Sequence, residues 1–274
     1  MKNYFIIDSH VHLFPKKIAA KADKNISKFY DLPMECDEGS LEELQKYGKE
    51  AGVSGFLVCS PATTPKQVNS INKFSLDVHH KYENLISFGS VHPMSQNIEQ
   101  DILSVRNIGL EGIKLHPDFQ NFAIDCPEAM NVYQNCYKYD IPILIHMGDA
   151  RYTASSPSRL RNVLNEIPNL KIIAAHLGGY QRWDESTKCL KGDFPYLRFD
   201  TSSSIRFLGK TKAKEIISYF GTDKCFFGTD FPMQSQKTAI EEFLSLGFSE
   251  KENSAIFGEN IAEYLHLNMT RFKY

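Results

Sequence analysis

The sequence predicts an α/β fold, a single (β/α)8 barrel, on three observations. Short apolar runs recur eight times, helix-like segments separate them, and polar residues, histidines above all, sit at the carboxyl ends of the runs. After a longer first gap the centres of the runs fall about thirty residues apart, which suits a strand, a crossover helix and two short loops. Eight such units complete a barrel, and 274 residues is an ordinary length for one.

The first run, Phe5–Asp8, leads directly into His10-Val11-His12. Side chains alternate along a strand, so His10 and His12 project from one face about 7 Å apart, close enough to grip one metal ion. An insertion follows at about residues 13–39, with Pro15, Pro33 and mixed charge. It leaves the barrel at the end where the histidine pair points and is read as a substrate lid. Ser40 is a good N-cap for a helix that runs to Gly52. The run Gly55–Ser60 is followed by a helical segment from Pro65 to Tyr82, with proline in its first turn and Val68, Ile71, Phe74, Leu76 and Val78 along a roughly helical face.

Leu85–His92 is the third run, and the helix Asn97–Ile108 stops at Gly109. Gly112–His116, Ile141–His146 and Lys171–His176 are the next three, with helices Pro127–Tyr139 and Ser158–Ile167 between them. Leu197–Thr201 and Cys225–Asp230 complete the set. Helices Thr211–Phe220 and Thr238–Leu246 exit at Gly221 and Gly247, and Glu252–Leu265 packs as the closing helix. No linker or low-complexity tract divides the chain, so residues 1–274 read as one domain.

Composition narrows the function classes. Hydrophobic residues make up 42% and aromatic residues 12%, enough for a real core. Net charge is −2 with Lys and Arg scattered, which argues against a nucleic-acid groove or a polybasic membrane patch. The six cysteines show no CxxC spacing and read as reduced thiols of a cytoplasmic protein. No run approaches the ~20 apolar residues of a membrane span or the pattern of a signal peptide.

In a parallel barrel every strand delivers its carboxyl end to one mouth. His10, His12, Ser60, His92, Lys114, His116, His146, His176, Asp200, Thr201 and Asp230 all fall there. His10, His12, His146 and Asp230 form an N/O donor set suited to Zn²⁺, with Mn²⁺, Fe²⁺ or Co²⁺ as alternatives. A divalent ion lowers the pKa of its water towards ~7 and so supplies a nucleophile at neutral pH. Asp230 is placed to accept that water's proton, and His176 to act as base or to polarise a carbonyl. Gly178 and Gly179 behind His176 allow backbone to approach a ligand. Arg151, Arg182 and Arg206 follow strands five, six and seven, and a guanidinium at this mouth can fork onto a substrate carboxylate. Arg151 ranks first because it lies nearest His146 in sequence, with Tyr152 beside it. His79, His80 and His266 read as solvated, and His92 as structural.

The order of these strand ends resembles the amidohydrolase superfamily. The wording Ile7-Asp8-Ser9-His10-Val11-His12, Gly112-Ile113-Lys114-Leu115-His116-Pro117 and Gly228-Thr229-Asp230-Phe231-Pro232 is similar to its amidohydrolase-related branch, which includes aminocarboxymuconate-semialdehyde decarboxylase and resorcylate-type decarboxylases. The resemblance implies one Zn²⁺-like ion on His10, His12, His146 and Asp230, with His176 assisting the attacking water and Lys114 or His116 contacting substrate. In binuclear relatives a carboxylated strand-four lysine bridges two metals, an arrangement Lys114 leaves open, whereas pyrone-dicarboxylate lactonases of the branch work without metal. The leading expectation is hydrolysis of an amide, ester or lactone of a small molecule, one that could carry a carboxylate. The alternatives are non-oxidative decarboxylation of an unsaturated or aromatic acid, and a non-catalytic ligand-binding barrel. A homo-oligomer is left open.

Overall fold

The computed structural model describes residues 4–272. Strands β1 (Ile7–Val11), β2 (Gly55–Cys59), β3 (Leu85–Ser90), β4 (Gly112–Leu115), β5 (Ile143–Ile145), β6 (Ile172–Ala174), β7 (Leu197–Asp200) and β8 (Cys225–Phe226) form one parallel sheet in sequence order. The eighth strand returns to the first: the Ser9 amide donates to the Phe227 carbonyl (2.9 Å) and the Asp230 amide to the His10 carbonyl (2.9 Å). The sheet therefore closes as the expected (β/α)8 barrel.

Both faces of the barrel wall are buried, which is why its strands read as continuous apolar runs. Leu57, Phe88, Leu144, Ile173 and Phe226 fill the inside with Ile7. Tyr264 and Phe272 belong to the same cluster. Phe272 lies against Gly55 at the start of β2, where a Cβ would come within 2.6 Å of its ring, so the C-terminal segment plugs the amino end of the barrel. The alternating residues Ile113, Leu115, Ile143, Ile145 and Ile172 face the outer helices.

One irregularity decides where the histidine pair points. Ile7 and Val11 would share a face in an unbroken strand, yet Ile7 joins the inner cluster and Val11 the outer one. The pairing of β1 with β2 shifts register between Asp8 and Val11, and this bulge turns the His10 and His12 side chains inward. Asp8 pins the bulge to the far side of the seam. Its carboxylate accepts from the Thr229 amide (3.0 Å), the Thr229 hydroxyl (2.6 Å) and the Gln236 amide nitrogen (3.0 Å). Burial pushes the Asp8 carboxyl up to about 7 against these hydrogen bonds. Asp8→Ala strands three buried donors, and we expect a loss of about 3 kcal/mol of stability, read as a lower urea midpoint at unchanged slope.

Three segments differ from the sequence reading. The insertion holds a helix, Lys16–Tyr30, ended by Asp31 in the left-handed region. Its base is clamped by Gly39, whose amide donates to Asp23 Oδ2 at 2.8 Å. A short helix at Trp183–Cys189 was not anticipated; it buries only Ser186 and so shows no apolar stripe. The closing helix contains a π-helical turn at Ala255–Glu259, where Gly258 lets the backbone sit against Phe5. Among the described residues all six cysteines are unpaired, and no helix is long and apolar enough to cross a membrane.

Candidate active site

His10 is fully buried and held at both ring nitrogens. Its Nδ1 lies 2.9 Å from Asp200 Oδ2, and its Nε2 lies 2.7 Å from Lys114 Nζ and 3.6 Å from Asp230 Oδ1. With Nδ1–H donated to the carboxylate, the Nε2 lone pair faces Lys114 and Asp230. His12 Nε2 approaches the same Asp230 oxygen at 3.1 Å. The carboxylate behind His10 thus fixes which of its nitrogens looks into the site, the arrangement that orients histidine ligands for a metal. Burial first, and then Lys114, holds the His10 imidazole well below its ordinary range, so it is neutral and able to coordinate.

Asp200 organises more than His10. Its Oδ1 accepts from the His176 amide (3.0 Å) and the Ser202 amide (3.1 Å). His176 Nδ1 donates to the Ser202 carbonyl at 3.0 Å, which leaves Nε2 facing His146 Nδ1, also at 3.0 Å. His146 Nε2 is buried without a hydrogen-bond partner, 3.8 Å from Asp118 Oδ2. Burial opposes the charge on Asp230, but the hydrogen bond from His12 and the surrounding imidazoles hold its carboxyl well below the usual range. Asp230 also accepts from the Ser203 hydroxyl at 2.7 Å.

His176 and Asp230 both have left-handed backbones, φ 58° and φ 63°. At His176 this break in the strand alternation swings the ring inward, since Ala175 already occupies the inner cluster. Such conformations cost about 1 kcal/mol or more and persist where surrounding contacts enforce them. Here the contacts are those made by Asp200 and Ser202 to His176 and by Ser203 to Asp230.

Above these groups lies a cavity of about 450 Å³, bounded by His12, His116, His146 and Asp230 on the barrel side and by the insertion helix on the other. Tyr30, at the end of that helix, places its hydroxyl 3.1 Å from His116 Nε2. The His116 ring stacks between Phe119 and His146, with centroid distances of 3.8 and 3.9 Å. Sequence reading missed Tyr30, Asp118 and Ser202. It named Asp200 as a polar strand end without giving it a role.

The remaining sequence candidates are placed differently from one another. His116 borders the cavity, whereas Lys114 is wholly buried beneath it against His10. Arg151 was expected to meet substrate, but its guanidinium is bound to Asp149, with Nη2 to Oδ2 at 2.6 Å, and to the Phe29 carbonyl at 2.6 Å. Its side chain is 45% exposed on the outside of the mouth. It lies two positions from a buried carboxylate on the same tight loop, and that proximity captures it. Arg182 ties the Asp149 and Tyr152 carbonyls together, and Arg206 reaches towards Glu35 at 3.8 Å. Gly178 and Gly179 face protein: a Cβ on Gly178 would meet Ser186 Oγ at 2.6 Å, and one on Gly179 the Arg182 backbone at 3.0 Å. They admit the following helix rather than a ligand. His92 accepts from the Met94 amide at 3.2 Å and shapes the turn after β3, the structural role expected of it.

Known structures of the same shape were found. An uncharacterised TIM-barrel protein from Bordetella bronchiseptica superposes with a TM-score of 0.75 at 17% identity, over 95% of this chain and 98% of that one. A 2,6-dihydroxybenzoate decarboxylase complexed with 2,6-dihydroxybenzoate gives 0.74 at 16% identity, over 96% and 100%. A dihydroxybenzoic acid decarboxylase from Polaromonas sp. JS666, with bound manganese and 2-nitroresorcinol, gives 0.71 at 13%, over 99% and 100%. At these identities the likeness establishes the fold. No curated protein matches the sequence. The family model described as amidohydrolase matches residues 7–267, nearly the whole chain, and the protein is therefore an enzyme of the amidohydrolase family.

Proposed function

We propose that the protein is a metal-dependent hydrolase acting on an amide, ester or lactone of a small molecule, with His10, His12, His146 and Asp230 holding one divalent ion, Zn²⁺ in the first instance. The observation that carries this reading is the convergence of His10 Nε2 and His12 Nε2 on one Asp230 oxygen, at 3.6 and 3.1 Å. When bound, the ion supplies Lewis acidity and an activated water. Asp230, held as a carboxylate, takes up a proton at Oδ1 or Oδ2. His176, whose Nδ1 is committed to the Ser202 carbonyl, works through Nε2. Lys114 lies under the site against His10 rather than at the cavity, so we give contact with substrate to His116 and Tyr30. Arg151 braces the Asp149 loop. A cytoplasmic location fits the unpaired cysteines.

The direct test is elemental analysis of the purified protein, followed by a screen of neutral amides, esters and lactones before and after chelation. Turnover that disappears with the metal and returns on its replacement supports the proposal; equal turnover in the stripped protein opposes it. Tyr30→Phe removes one hydrogen bond to His116 without altering the aromatic wall. It should lower kcat/KM about fivefold, mainly through KM, because one such bond contributes ~1 kcal/mol.

Decarboxylation is the second reading, favoured by the similar fold of the dihydroxybenzoate decarboxylases. Arg151, the first sequence candidate to hold the carboxylate, is turned away, so the divalent ion would be its partner. Release of CO₂ from aromatic acids separates the two reactions.

A further inference from the structure

Among the described residues that border the cavity there is no lysine or arginine. Its outer wall is made by Phe14, Ile18, Ile26 and Phe29 of the insertion, facing Ile71 and Phe119. The polar groups among them, Asn25, Thr63 and Gln67, are neutral, and the charged group that borders it is the Asp230 carboxylate. Arg151 is bound to Asp149 and the Phe29 carbonyl, Lys114 lies under the site against His10, and Arg206, which donates to the carbonyl of cavity-lining Met233 at 3.4 Å, faces Glu35 at 3.8 Å. A second anionic group entering this space would lose its hydration and find no partner.

We propose that the cavity takes a substrate whose portion remote from the reacting carbonyl is uncharged and apolar, an aryl or branched alkyl group, and that it refuses compounds with a distal carboxylate. The inference rests on the metal-hydrolase reading only for the place of the reacting carbonyl. The selection itself is made by the insertion helix, which supplies most of the apolar wall, so substrate class is set by residues 14–34 rather than by the strand ends.

Two probes isolate the distal charge: naphthamide, and the same amide with a carboxylate on the far ring. Calorimetric titration of the zinc-loaded protein should give at least tenfold weaker binding for the acid. Ile26→Arg, at a half-buried position on the cavity side of the insertion helix, places a guanidinium on the wall and should recover the acid about tenfold relative to the neutral amide. Equal or tighter binding of the acid by the unsubstituted protein overturns the proposal, as does failure of the neutral amide to bind. An unchanged preference in a folded Ile26→Arg protein also overturns it, since the acid would then be refused elsewhere. Binding needs no turnover, so a failed hydrolysis screen counts against the reaction and leaves this comparison readable. A preference for the acid alongside metal-dependent hydrolysis counts against the substrate class alone.

Discussion

Asp230→Asn is expected to lower kcat/KM about a thousandfold while leaving the melting temperature within a few degrees of the parent. The substitution keeps the shape of the side chain and an acceptor for the Ser203 hydroxyl, but removes the negative charge on which His10 and His12 converge. Asparagine also tolerates the left-handed backbone at this position, φ 63°, better than most residues, so the loss is chemical rather than structural. A steady-state assay with thermal denaturation alongside checks both halves. Unaltered turnover would remove Asp230 from the chemistry.

His12→Ala should cost at least as much activity, by a different route. The missing imidazole takes away one of the two nitrogen donors that converge on Asp230. Metal affinity should fall by about a hundredfold or more, and activity at limiting metal with it. Excess metal should restore part of the activity to His12→Ala and none to Asp230→Asn. The barrel tolerates the change because its stability comes from the inner layer of Leu57, Phe88, Leu144, Ile173 and Phe226, one level below the mouth. Circular dichroism should show an unchanged fold.

The parts of this account legible in the sequence are those written along a single strand. His146 and Asp230 announce themselves as polar residues at the end of apolar runs, and the regular spacing of those runs carries the barrel. The bulge between Asp8 and Val11 was not legible, because it follows from pairing with β2 and from the grip of Thr229 and Gln236 across the seam. Tyr30 was hidden for a related reason. It lies twenty residues past the first strand in a segment that showed no strand or cap signal, and it reaches His116 only because a helix folds back over the mouth. Arg151 illustrates the opposite failure: closeness to His146 in sequence suggested a ligand contact, while an acidic neighbour two positions earlier had the stronger claim.

The central claim is that His10, His12, His146 and Asp230 share one cation. Anomalous scattering from zinc-soaked crystals tests it most directly. The account predicts a single strong peak about 2.0–2.2 Å from His10 Nε2, His12 Nε2, a His146 nitrogen and an Asp230 oxygen. No peak at that position, or a peak instead among His116, Asp118 and His146, whose donor atoms lie within 4.8 Å of one another, would contradict it.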